Sequence, residues 1–282
     1  MTASLAIARP PSRYRALARF VRRPAAVGGI ILALAAAVAV FGPMIAADPN
    51  AMAPARRLQF FSLEHPFGTD GLGRDLFARV VHGCGISLFV GFVVASAATA
   101  IGLAIGLATG YFRLVDLVVM RVMDGMMAIP TLLLAVGLAS LADASLGLVI
   151  LALTIPDIPR VVRVTRTEVL SLRERLYVTA AIASGSGSLK ILFRHIVPNL
   201  MAPLSVQVTY LCAAAILAEA GLSFIGAGMP PETPSWGVII AENREYLQSA
   251  PWTIFVPGLF LTITVLAISL IGDAFRSRSD GR

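Results

Sequence analysis

The sequence predicts an all-α fold, a polytopic membrane protein crossing the bilayer six times, and three observations carry that prediction. Hydrophobic residues make up 57% of the 282 positions and charged residues only 14%, too few charges to clothe a water-soluble surface of this size. Mean hydropathy is correspondingly high, at +0.82. Several apolar runs reach the roughly 20 residues needed to cross a hydrocarbon core about 30 Å thick.

The expected spans are 25–47, 86–110, 118–141, 144–164, 200–225 and 252–274. The first follows a tail, 1–24, with six arginines and no acid. It exceeds the apolar core of a secretory signal, about 7–15 residues, and is read as a retained signal-anchor. The second holds Gly102, Gly106 and Gly110 at four-residue spacing, a stripe that lets another helix approach closely. The fourth should kink or end early, because Pro156 and Pro159 each remove a backbone donor. Three polar segments hang on these spans: 48–85, 165–199 and 226–251. In the last, "WGVIIAENREYLQ" reads as a short helix against the bilayer surface, with Trp236 and Trp252 as interfacial aromatics. Cys84 and Cys212 lie in separate spans, give no disulfide framework or metal spacing, and read as packing residues.

Orientation follows from the basic residues. Eighteen of the 23 Lys and Arg fall in 1–24, 113–121, 157–200 and the tail 275–282. The segments 48–85 and 226–251 balance five arginines against seven acids. The positive-inside rule therefore places both termini, 1–24 and 275–282, in the cytoplasm and makes 48–85 and 226–251 extracytoplasmic. The net charge of +7 is topological, and its scatter around membrane spans argues against nucleic acid as a partner.

Catalytic signatures are absent. A P-loop needs a glycine before its lysine, whereas the only lysine, Lys190, follows Leu189. His65, His82 and His195 are far apart with no metal-binding spacing, and no G-x-S-x-G elbow occurs. Catalytic and metal residues are therefore none.

The segment "LYVTAAIASGSGSLKILFRHIVPNL", 176–200, interrupts the apolar pattern. Leu189, Leu192, Phe193 and Ile196 fall at i, i+3, i+4 and i+7, one apolar helical face, with Lys190 and Arg194 opposite. Pro198 should end this helix near Val197. Before it, Ala180, Ala181, Ala183 and Ser184 form a small-faced helix end, and Gly185 and Gly187 permit a sharp reversal. Two readings stand side by side: a helix–turn–helix presented to a partner, or an amphipathic connector resting on lipid headgroups. Two intramembrane acids also have two readings each, Asp124 and Glu219. They either line an ion or solute path or are structural, Asp124 by pairing with Arg121 and Glu219 by reaching the interface or capping a backbone donor.

The 176–200 segment resembles the E-A-A-x3-G-x9-I-x-L-P signature of membrane subunits in binding-protein-dependent ABC importers. Ala180, Ala181, Gly185 and Pro198 match, Val197 replaces Leu, His195 takes the usual Ile position, and Thr179 replaces the leading Glu. "HPFGTDGLGRDLFARVVHG" (65–83), "RVMDGMMAIPTLLLAV" (121–136), "EVLSLRERLYV" (168–178), "AEAGLSFIGAGMPPETPSWG" (218–237) and "YLQSAPWTIFVPGLFLTITVLAISLIGDAFR" (246–276) are similar to the C-type permease of dipeptide, oligopeptide and nickel importers. The resemblance implies a type I permease fold in the bacterial inner membrane. It also implies a homologous permease partner in a heterodimer, two ATP-binding subunits that supply all ATP hydrolysis, and an extracytoplasmic solute-binding protein. Thr179, Ala180, Ala181, Gly185, Lys190, Arg194, His195 and Pro198 would then couple to the ATPase, and the chain itself would bind no cofactor. The cargo implied is di- or oligopeptides, with nickel, opines and glutathione as alternatives and a secondary transporter or channel as the remote one.

Overall fold

The computed structural model describes residues 12–141 and 143–279, with side chains for 25–141 and 143–277. Part of the amino-terminal tail (1–11) and the last three residues lie outside the described set. The described residues fold as an all-α structure with ten α-helices joined by turns and irregular segments: α1 (Ser12–Ile45), α2 (Leu76–Tyr111), α3 (Arg113–Met127), α4 (Thr131–Ala139), α5 (Leu146–Arg173), α6 (Leu176–Ala183), α7 (Ser188–Ile191), α8 (Val197–Ile225), α9 (Trp236–Asn243) and α10 (Trp252–Ser279).

Among the described residues, four stretches are long and apolar enough to cross a membrane: 25–45 of α1, α2, the run 188–225 ending in α8, and α10 up to Ser277. The expected third span is broken. Helices α3 and α4 meet at 87° across the Ala128–Pro130 linker, and the pair qualifies only when counted together. Helix α5 is not among the four, because Asp157, Arg160, Arg163 and Arg166 interrupt its apolar sequence. Contrary to the expected early end, α5 runs 28 residues through Pro156 and Pro159 to Arg173. The apolar seam with α2 holds it together across the missing donors.

That seam uses the glycine stripe. A Cβ on Gly102, Gly106 or Gly110 would lie 2.5, 2.5 and 2.6 Å from the Cβ atoms of Val161, Thr165 and Val169, all buried. Both series rise by four, so the two helices run parallel, backbone against backbone. Arg173 closes the end of the seam by donating to the carbonyls of Gly110 and Tyr111 at 3.1 and 3.0 Å, where α2 leaves carbonyls without helical partners. The remaining long helices pack around it: α8 contacts α2, α5 and α10, while α1 lies at the edge on α10 and α2. Cys84 donates its thiol to the Ala35 carbonyl at 3.3 Å, which fits its reading as a packing residue.

Gly106→Val should force Thr165 away and cost about 1–3 kcal/mol of stability through overpacking. Gly137→Ala, where an added Cβ meets nothing within 4 Å, should be neutral or mildly stabilising. Thermal unfolding of the detergent-solubilised protein compares the two. Equal midpoints would mean that the seam tolerates side chains.

Candidate functional sites: the elbow and the opposite end of the bundle

The elbow begins with α6, which packs Val178 into the core and closes with a left-handed glycine. Gly185 has φ of 75°, its N–H donates to the Ile182 carbonyl at 2.9 Å, and the Ser186 N–H donates to Ala181 at 3.0 Å. This pair of bonds is the glycine-terminated helix end that satisfies otherwise orphaned carbonyls. Gly187 takes an ordinary φ of −67°, so the reversal rests on Gly185 alone.

The second helix of the elbow differs from expectation in two ways. It does not end near Val197. Residues 188–225 form one continuous run, in which a five-residue π-turn, Leu192–Ile196, joins α7 to α8. Pro198 falls at the start of α8, where its missing N–H costs little. The wider π-turn also shifts the buried face. Ile191, Leu192, Ile196 and Leu200 are buried against Val169, Val178 and Leu204, whereas Leu189 and Phe193 are exposed.

The elbow therefore presents a mixed exposed surface. Leu176, Tyr177, Thr179, Ala180, Ile182, Ala183, Leu189 and Phe193 all face outward. Lys190 and Arg194 are exposed as well and form no ion pair among the described residues. Of the candidate residues, Ala181 is half-buried against the core and His195 is half-buried as well. Thr179 donates to the Arg175 carbonyl at 3.4 Å, a weak back-bond within its own helix. His195 sits beside the Tyr177 ring, centroids 6.4 Å apart, and its carbonyl accepts from Asn199.

The opposite end is held by a charge cluster that sequence reading passed over. Asp70 and Arg79 are fully buried and Arg74 nearly so. Asp70 Oδ2 accepts from Arg74 Nε at 2.6 Å and Arg79 Nη1 at 3.0 Å, and both arginines reach Glu242 of α9 at 2.9 and 2.7 Å. The cluster ties the segment before α2 to the first turn of α2 and to α9. The sequence signal was "TDGLGRDLFAR" itself: an acid and two arginines at i, i+4 and i+9 beside an apolar run.

Helix α9 is consequently internal. Trp236 is fully buried and its indole N–H donates to the Val80 carbonyl at 3.1 Å, which corrects its placement at the bilayer surface. Trp252 packs on Phe60, ring centroids 5.0 Å apart. Ser235 caps α9 by accepting from Val238 N–H, and its hydroxyl donates to Glu219 Oε1 at 2.7 Å. Ser223 donates to the same oxygen at 2.9 Å. Glu219 is thus fully buried, joining α8 to α9, and neither reaches the interface nor caps a backbone donor. Asp124 pairs with Arg163 of α5 at 2.7 Å instead of with Arg121.

The described residues thus form a helical bundle with an exposed elbow at one end and a buried charge cluster at the other, and no group of His, Cys, Asp or Glu among them could hold a metal. The chain belongs to the family of binding-protein-dependent transport system inner membrane components, whose model matches residues 98–282. It is accordingly a multi-pass inner-membrane permease subunit and not a catalytic one. It is 48% identical over 284 residues to a probable peptide ABC transporter permease protein of Sinorhizobium fredii, covering 100% of this chain and 98% of that one. It is 40% identical to a dipeptide transport system permease protein of Alkalihalophilus pseudofirmus (91% and 85% covered) and 39% identical to one of Escherichia coli (93% and 90%). Membership in a binding-protein-dependent system disfavours the self-contained transporter or channel.

Arg79→Met removes a fully buried cation and leaves Asp70 and Glu242 to share Arg74 alone, so it should cost about 3–5 kcal/mol. Loss of the folded band, or a fall of several degrees in unfolding midpoint, checks this. An unchanged midpoint would show that water reaches the cluster.

Proposed function

We propose that this chain forms half of the membrane pathway of an ATP-driven importer of di- or oligopeptides. The names of its relatives support peptides over nickel, opines or glutathione. In this reading α5 is the sixth crossing, both termini are cytoplasmic, the elbow (165–199) faces the cytoplasm, and 48–85 and 226–251 face outward. A homologous permease completes a heterodimer, two ATP-binding subunits bind and hydrolyse all the ATP, and a solute-binding protein delivers cargo to the outer end.

The observation that carries the proposal is the elbow. An exposed surface of small and apolar side chains, built on a helix end fixed by Gly185, continues without a break into a helix that reaches the opposite end of the bundle. Movement imposed on the elbow by an ATPase is thereby transmitted along one rod. Nucleotide drives transport only if it favours one packing of the bundle over another, and a continuous helix communicates that difference. Thr179, Ala180, Gly185, Lys190, Arg194 and Pro198 form the contact surface, with the half-buried Ala181 and His195 supporting it.

Ala180→Glu places a charge on the outward face without disturbing the core, and Gly185→Val strains the left-handed turn by about 1–2 kcal/mol. Both should abolish ATP-driven uptake while the protein still reaches the membrane. Normal transport by both would overturn the coupling role. Ser62→Cys should react with an impermeant thiol reagent in intact cells and Ser188→Cys only after permeabilisation. The opposite pattern would invert the topology.

Thr179→Glu should preserve transport and strengthen ATPase association at low ionic strength, since a charge-assisted hydrogen bond contributes about 1.5–3 kcal/mol. Dissociation of the ATPase subunits across a salt series, with wild type alongside, measures it. Identical salt curves would leave position 179 to shape alone.

A further inference from the structure

Helix α5 carries four ionic side chains at three-residue spacing: Asp157, Arg160, Arg163 and Arg166. Asp157 and Arg160 lie near the middle of the helix, level with Gly102 of α2, which packs on Val161 and the Ile158 carbonyl. Arg163 and Arg166 follow toward the elbow and pair with Asp124 and Asp116 of α3. Ionic groups at this depth are expensive in lipid and face either protein or water. The interior of this chain encloses Asp157 but not Arg160 or Arg163, whose side chains are 41% and 49% exposed. Three-residue spacing winds the row about half-way round α5, from the buried Asp157 past Arg160 against α8 to Arg163 and Arg166 against α3.

The innermost pair is the least satisfied. Arg160 Nη1 stands 3.6 Å from Asp157 Oδ1, beyond hydrogen-bond range, and Asp157 accepts no hydrogen bond among the described residues. The Arg160 guanidinium lies over the Tyr210 ring of α8, 5.6 Å from its centroid. It also borders an open cavity of about 50 Å³ with Met126, Met127, Ile129, Thr131 and Pro156, at the break between α3 and α4. Broken helical backbone at membrane depth is tolerated where protein covers it or where it lines water. A guanidinium with free donors, backed by an aromatic ring, is suited to a carboxylate.

We propose that Asp157, Arg160 and Tyr210 form a contact site inside the membrane for a zwitterionic solute. Arg160 takes the carboxylate and Asp157 the ammonium group, and water reaches the site along the α5 row. The proposal rests on the permease reading and adds to it a place where cargo touches this chain.

The test uses the assembled complex with both native cysteines replaced (Cys84→Ala, Cys212→Ala) and Tyr210→Cys introduced. Two water-soluble thiol reagents of similar size are compared, the anionic sulfonatoethyl and the cationic trimethylammonioethyl methanethiosulfonates, with rates normalised to a free thiol. Tyr210→Cys should react in the nucleotide-free or the ATP-bound state, while Leu259→Cys on α10 should not. Arg160→Gln should lower the anion-to-cation rate ratio by about tenfold, as expected for one charge at this separation between the limits of water and a protein surface. Arg160→Lys should retain the ratio. If Arg160→Gln does not assemble, Asp157→Asn gives the mirror measurement and should raise the ratio.

No reaction in either state, or a ratio unaffected by removing the charge, would overturn the proposal. Receptor-stimulated ATP hydrolysis by the same sample reports separately on the permease reading. Its presence alongside an unreactive Tyr210→Cys sinks the contact site alone.

Discussion

The arrangement depends first on the seam between α2 and α5. Three glycines remove the side chains that would otherwise hold the two helices apart, and Val161, Thr165 and Val169 take up the space. In a membrane this contact gains little from the hydrophobic effect, because lipid is as apolar as the partner helix, so close packing must supply the attraction. The seam carries α5 through two prolines without a break. It also fixes the rotation of α5 about its axis, which sets Arg160 against α8 and Arg163 and Arg166 against α3. Arg173 extends the same contact to the elbow by capping the carbonyls at the end of α2. Elbow and ionic row are therefore referenced to one rigid pair.

The run from Ser188 to Ile225 links the two ends. At the elbow it is held by burial of Ile191, Leu192 and Ile196. At the far end Gly226, with φ of 91°, terminates it, and Glu219 joins it to the cap of α9 through Ser235. The π-turn departs from regular helix close to the point where force would enter. Such turns are uncommon and often lie at functional positions. Here the turn has a plain packing consequence: it rotates Leu189 and Phe193 outward and Ile191 and Leu200 inward.

Much of this was legible in the sequence, and what was missed has specific causes. Apolar length located all the long helices, and glycine spacing identified the stripe. The positions of Ala180 and Gly185 marked a helix end and a turn. The helix ends expected at Pro156, Pro159 and Pro198 do not occur: packing on α2 carries α5 past the first two, and Pro198 follows a π-turn inside a continuous run. Periodicity placed Leu192 and Ile196 correctly at 189–196 but misplaced Leu189 and Phe193, because a π-turn abandons the 3.6-residue repeat on which the template depends. Asp124 was assigned to Arg121 because sequence proximity was the only guide, whereas Arg163 lies on another helix. Trp236 was placed at the interface on residue type, although its burial depends on the Asp70–Arg79–Glu242 cluster drawing α9 inward.

The two ends differ in what holds them, and the difference bears on how such a bundle switches. The far end is clamped by buried ion pairs and by Glu219, interactions that are strong in a low-dielectric interior and costly to break singly. The elbow is held by backbone caps and apolar contacts, with its charged groups exposed. Local opening follows the weaker interactions, so a conformational change is more cheaply absorbed at the elbow and at the α3–α4 break than at the far end. A rod clamped at one end and compliant at the other turns a push into tilt about the clamp. Tilt of α8 moves Tyr210 relative to Arg160 on α5, because the two residues are on different helices and only their side chains meet. The geometry of that contact is thereby tied to the position of the elbow.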